Sequence, residues 1–180
     1  MLMRAERSCL LVVDVQERLA PVMTDPRRVI YGCTLLMRAA HRLDIPIVVS
    51  EQYPQGIGST IVDLRPWLPA EGALPKTHFS CADEPAIMDR LEATGRPQCV
   101  LAGVEAHICV LQTALDLRGK GLEVFVVADA CASRRAASED MAWGRLRQAG
   151  VAVVSVEMVV FEWLRVARTA EFKELSALIK

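Results

Sequence analysis

No apolar run in this 180-residue sequence approaches the ~18 residues that a membrane-spanning helix needs, so no membrane segment is expected. A basic excess is missing too. Lys and Arg number 21 against 22 Asp and Glu, a formal net charge of −1. That balance leaves nothing to neutralise a phosphate backbone and argues against nucleic acid as a partner. There is no C-x-x-C pair among Cys9, Cys33, Cys81, Cys99, Cys109 and Cys131, and four of the six lie in or beside apolar runs. Cysteine there acts as a small hydrophobe, so a reduced, cytoplasmic chain is expected rather than a disulfide framework. The opening run C-L-L-V-V is too short for a secretory signal and ends in Asp14, so it reads as a first strand. The first strand is followed by D-V-Q-E-R-L rather than G-x-G-x-x-G, and no G-x-x-x-x-G-K-[ST] occurs; both dinucleotide and P-loop signatures are therefore absent. His41, His78 and His107 show no ligand spacing such as H-E-x-x-H, and neither a metal nor another cofactor is expected.

What is present is apolar and periodic. Hydrophobic residues make up 52% of the chain, enough for a sizeable core, and the length fits one domain spanning 1–180. Five short runs rich in Val, Leu and Ile stand out: S-C-L-L-V-V-D, I-P-I-V-V-S, Q-C-V-L-A-G, E-V-F-V-V-A-D and V-A-V-V-S-V. They are apolar almost continuously rather than alternately, which predicts strands covered on both faces of a parallel sheet. A shorter sixth strand is read near Leu74 to His78. Helical segments lie between the runs: Asp25 or Pro26 to about Leu43, Asp83 to Thr94, Glu105 to Gly119, and Arg135 to Ala149 with Ser133 as its cap. The tail from Thr169 to Lys180 carries Phe172, Leu175, Leu178 and Ile179 on one helical stripe, to dock on the domain or on another subunit. The alternation predicts a three-layer αβα fold with a doubly wound, mostly parallel sheet of about six strands.

In such sheets the functional crevice lies beyond the carboxyl ends of the strands. That directs attention to Asp14, Ser50 to Gly58, the Lys76 region, Gly103 to Cys109, and Asp129 to Arg135. Asp14 at the end of a buried strand needs a partner or a role as helix cap for a segment starting near Gln16. Lys76 lies in the nearly uncharged A-L-P-K-T-H-F-S-C and would be a surface residue unless it pairs with Asp14. Cys109 follows a strand and a glycine. By base rate it is a buried structural thiol; at a helix N-terminus it is a nucleophile whose thiolate the helix dipole favours. Arg134 and Arg135 could hold an anion, although two basic residues opening a helix are usually just solvated.

Taken together, D-V-Q after the first strand, the lysine of P-K-T-H-F-S, and G-V-E-A-H-I-C-V-L-Q-T-A resemble the isochorismatase-like cysteine hydrolase family. The likeness continues through V-V-A-D-A-C-A-S-R and G-V-A-V-V-S-V-E, and S-E-Q-Y-P-Q-G-I-G resembles its small single-domain branch. The resemblance implies a catalytic triad of Asp14, Lys76 and Cys109. It also implies a cis peptide between Val104 and Glu105, with an oxyanion hole formed by the Glu105 and Cys109 N–H groups. Where the nicotinamidase branch carries metal-binding histidines, this chain reads Glu51-Gln52-Tyr53, which implies a metal-free site. The implied activity is hydrolysis of a small carboxamide or related C–N bond by a homo-oligomer, with Leu19, Gln52, Tyr53 and Phe79 as pocket-wall candidates chosen by chain position. Two rival readings keep the fold: an idle triad on a binding or scaffold protein, and a redox-active Cys109 with Cys81 or Cys131 as resolving thiol.

Overall fold

The structure, a computed structural model, describes residues 1–179. Six strands form one sheet: β1 Ser8–Val13, β2 Ile47–Gln52, β3 Leu74–Lys76, β4 Gln98–Val104, β5 Glu123–Ala132 and β6 Ala152–Val154. They lie in the order β3-β2-β1-β4-β5-β6, and every pairing is parallel. The expected doubly wound α/β architecture is therefore present, with the chain reversing direction across the sheet between β1 and β4.

Alternation along a strand explains the continuous apolar runs. In β1, Leu10 and Val12 join one core cluster while Cys9, Leu11 and Val13 join the other, because successive side chains point to opposite faces. One face is covered by α1 (Pro26–Arg42), α6 (Val156–Leu164) and α7 (Ala170–Ile179), through Val29, Leu36, Val159, Trp163 and Leu175. The other is covered by α3 (Pro85–Ala93), α4 (Leu111–Gly119) and α5 (Ala136–Gln148), through Ile87, Leu91, Leu117 and Leu146. A strand between two such layers has no polar face to display. The single turn α2 (Pro54–Ile57) lies in the loop after β2.

Three local expectations are corrected. The last apolar run is not one strand: β6 ends at Val154, and Ser155 caps α6 by accepting from the Met158 N–H at 3.2 Å. The β-branched Val156, Val159 and Val160 look like strand residues but are buried along a helix face. Ser133 does not cap α5. Arg135 occupies that position without a side-chain cap, because the Ser133 hydroxyl faces His107 Nδ1 at 2.8 Å and its N–H donates to Glu139 Oε1 at 3.0 Å. No helix starts near Gln16; the segment makes only a short 3₁₀ turn at Ala20–Val22. The tail stripe does dock within the chain, with Leu175 buried and the Tyr31 hydroxyl donating to the Leu178 carbonyl at 2.7 Å.

Candidate active site

Register places the chemistry. Val13 pairs with Ser50 on one side and Gly103 on the other, and Gln52 pairs with Lys76. The carboxyl ends of four adjacent strands thus bring Lys76, Ser50, Asp14 and the segment after Gly103 to one edge of the sheet, at the switch point between β1 and β4 where such folds bind ligands. The approach of β1 to β4 demands glycine at 103. Its φ is +117°, and a Cβ there would lie 2.1 Å from the Val13 carbonyl oxygen. Asp14 itself has φ +52°. A left-handed aspartate at a strand end is uncommon, and here it re-aims the carboxylate into the crevice.

The Asp14 and Lys76 side chains are wholly buried and 2.8 Å apart from Oδ2 to Nζ. Ser50 Oγ donates to Asp14 Oδ1 at 2.7 Å. The ammonium also donates to Gln52 Oε1 at 2.5 Å and to the His78 and Phe79 carbonyls at 3.0 Å each. Asp14 Oδ2 is held by the ammonium and has no other partner among the described residues. The Cys109 thiol is near enough to the Asp14 carboxylate for each group to shift the other's ionisation.

Cys109 sits in a π-helical turn, Ala106–Val110, that opens α4. Here the Glu105 carbonyl accepts from Ile108 N at 3.0 Å and Val110 N at 3.2 Å. Both bypass the Cys109 N–H, which an ordinary α-helical turn would have paired with Glu105 O. The Glu105 N–H donates to no group among the described residues. The peptide bond between Val104 and Glu105 is cis.

The electrostatics differ from the expected helix-stabilised thiolate. Burial is the main influence on Cys109, and the Asp14 carboxylate adds to it; Lys76 opposes them, yet the thiol is pushed up to about 12. With only 6% of the residue exposed, the resting sulfur is a neutral S–H. Burial likewise raises Asp14 above its ordinary value, more than the Lys76 charge lowers it. Burial works against the Lys76 ammonium, but the facing Asp14 and the nearby thiols raise its pKa on balance. The pattern is that of a proton donor, an acceptor and a fixed cation rather than a preformed thiolate.

The structure gives the pocket-wall candidates varied positions. Gln52 is half-buried, contacts Lys76 and donates to the Thr77 carbonyl at 2.9 Å. Tyr53 and Phe79 are more than half exposed at the rim. Leu19 packs partly buried against the α1 side of the core. Two residues gain importance beyond the sequence reading. Ser50 steadies the carboxylate from β2. Gln16, wholly buried, donates to the Gln52 and Gly58 carbonyls at 3.0 and 2.7 Å and accepts from the Gln52 N–H at 2.7 Å. Its side chain thus ties the β2 loop to the end of β1. The D-x-Q pattern contains Gln16, but nothing in the sequence marks a serine 36 residues from Asp14. Among the described residues no three His, Cys, Asp or Glu side chains gather into a metal-holding group.

Fold and site define a class: a doubly wound α/β protein whose acid, base and thiol meet at the switch point of its sheet. The chain belongs to the isochorismatase family, whose domain model matches residues 8–158, and it has that family's hydrolase fold. It is 40% identical over 178 residues to isochorismatase domain-containing protein 2 of Bos taurus, covering 96% of this chain and 83% of the relative. The solved MAR1 ribonuclease of Caenorhabditis elegans superposes with a TM-score of 0.92 at 34% identity, over 99% of this chain and 92% of that one. The YcaC gene product of Escherichia coli, an octameric hydrolase of unknown specificity, superposes with a TM-score of 0.93 over 99% and 90% of the two chains. Its identity is 24%, so it bears on the fold alone.

Proposed function

We propose that this protein is a cysteine-dependent hydrolase of a small carboxamide or related C–N bond, working through a thioester. The observation that carries the reading is the wholly buried Asp14–Lys76 ion pair, 2.8 Å long, whose two charges both act on the ionisation of the Cys109 thiol. A thiol at about 12 is almost entirely protonated at neutral pH, so sulfur can attack only as its proton leaves. Asp14 accepts that proton as sulfur adds to the carbonyl carbon, then gives it to the departing amine. In the second half Asp14 takes a proton from water, hydroxide adds to the thioester, and the acid leaves as sulfur regains its proton. Lys76 keeps Asp14 ionised and opposes the negative charge that develops on sulfur. The N–H groups of Glu105 and Cys109 are the donors for the tetrahedral oxyanion, an effect typically of about 3–4 kcal/mol per donor.

The site takes a small molecule, and no metal enters this scheme. All six cysteines are free and buried, which supports a reducing, cytoplasmic setting; among the described residues no helix is long and apolar enough to cross a membrane. The homo-oligomer that the sequence resemblance implies is part of the same reading. Turnover of a panel of small amides, read for wild type and Cys109→Ala, tests the proposal. Hydrolysis that the substitution abolishes supports it. Hydrolysis that survives the substitution, or a panel untouched by wild type, refutes it.

A further inference from the structure

Lys76 ends β3, and the chain after it runs over the surface, with Thr77, His78 and Phe79 all exposed. Two carbonyls of this turn nevertheless point inward. Those of His78 and Phe79 each accept from the buried Lys76 Nζ at 3.0 Å. Together with Gln52 Oε1 and Asp14 Oδ2 they surround one ammonium. That ammonium acts in turn on the Cys109 sulfur, whose ionisation its charge favours. A solvent-facing turn of three residues has little packing of its own to fix it. The place of the charge therefore depends on whatever holds the turn.

Glu84 holds it. One carboxylate oxygen, Oε1, accepts from the Thr77 N–H at 2.6 Å and the His78 N–H at 2.9 Å. Thr77 Oγ1 at 3.3 Å and His78 Nδ1 at 2.9 Å gather around the same atom. These N–H groups immediately precede the two carbonyls that grip the lysine. Glu84 stands at the capping position of α3, yet its side chain caps none of that helix's free N–H groups. An acid in that place ordinarily serves its own helix. Here it serves the turn.

We infer that Glu84 is a positioning residue for the reaction: it bonds to none of Asp14, Lys76 and Cys109, but by fixing the turn at residues 77–79 it sets where the Lys76 ammonium stands relative to the other two. The inference deepens the hydrolase reading and rests on it for the reaction that the placed charge serves. Its consequence for the thiol needs no substrate.

The direction of that consequence separates this role from two others. Deleting a carboxylate that acted only as a distant negative charge would favour the thiolate and speed alkylation. Deleting one that only braced the fold would open the site, and a cysteine just 6% exposed would again react faster. Loss of the lysine's position slows alkylation, because the cation that opposes burial and the Asp14 charge is no longer held beside the sulfur.

Iodoacetamide labelling of Cys109 at about pH 8, followed by mass spectrometry, reads that direction in wild type, Glu84→Ala and Glu84→Gln. Glu84→Ala is expected to label about threefold or more slowly, and Glu84→Gln, which keeps an acceptor oxygen, to fall between it and wild type. On a hydrolysed amide, kcat should drop about tenfold or more in Glu84→Ala while KM stays within about twofold. Labelling at the wild-type rate or faster would overturn the inference, and so would a KM that rises with kcat unchanged. Should Glu84→Ala fail to fold by circular dichroism, the same criteria apply to Glu84→Gln. Slower labelling in a protein whose wild type hydrolyses no amide would refute the amidase reading and leave the role of Glu84 standing.

Discussion

Replacing Asp14 by asparagine separates two effects of one carboxylate. In the resting protein the Asp14 charge is second only to burial among the influences that hold Cys109 at about 12, while Lys76 opposes it. A unit charge at about 4 Å with an effective dielectric near 20 is worth roughly 4 kcal/mol, or about three powers of ten in an ionisation equilibrium. With pKa about 12, the thiolate fraction at pH 8 is on the order of 10⁻⁴. Removing the negative charge and leaving the Lys76 ammonium beside the sulfur should raise that fraction by roughly ten- to a thousandfold. Alkylation needs only the thiolate, whereas hydrolysis also needs a group to carry the proton to the leaving amine. Asp14→Asn should therefore react faster with iodoacetamide and hydrolyse amide substrate at least a thousandfold more slowly. The assay is mass-spectrometric labelling of Cys109 against time at several pH values, beside steady-state turnover. Slower labelling of the variant, with the fold intact by circular dichroism, would refute the electrostatic reasoning. Retained turnover would refute Asp14 as the proton carrier.

Three further outcomes follow from the same geometry. Lys76→Met leaves the buried Asp14 carboxylate without its cation and should cost roughly 3–5 kcal/mol in denaturant unfolding; Asp14→Asn in the same chain should recover most of it, and no recovery would contradict the pairing. Gly103→Ala forces a Cβ against the Val13 carbonyl at a φ of +117° and should lower stability by about 3 kcal/mol or more in thermal melts, where an unchanged melt would contradict the register. Burial pushes Glu84 upward, but the His78 and Thr77 N–H groups and the His78 ring outweigh it and bring the carboxyl down to about 2 from its ordinary 4.5. A depressed acid stabilises the fold above its unfolded value and loses that contribution as pH falls from about 4.5 towards 2. Glu84→Gln should therefore cost stability at pH 6 and little near pH 2, as read by urea titration at both; an equal loss at the two values would refute the linkage.

The sheet was legible because β1 and β4 are buried on both faces, so their composition alone carried the signal. α6 was not: its valines have strand propensity, and only the Ser155 cap separates it from β6. Asp14 and Lys76 could be named from their incongruity, charges at the edges of apolar runs. Their common position, with Ser50 between β1 and β3, depends on strand order and register, which no local pattern encodes. The sign of the Cys109 shift was misread for a related reason. A helix N-terminus is visible in sequence as a place favouring thiolate, whereas burial and an adjacent carboxylate become visible only once distant segments meet.

Rapid quenching of a single turnover, followed by intact-protein and peptide mass spectrometry, tests the central claim most directly. With a hydrolysed amide or its ester analogue, the account predicts a transient acyl adduct on the peptide containing Cys109, cleared by hydroxylamine and absent from Cys109→Ala. Product released at full rate with no acyl group on that peptide, or an adduct carried by another residue, would contradict it.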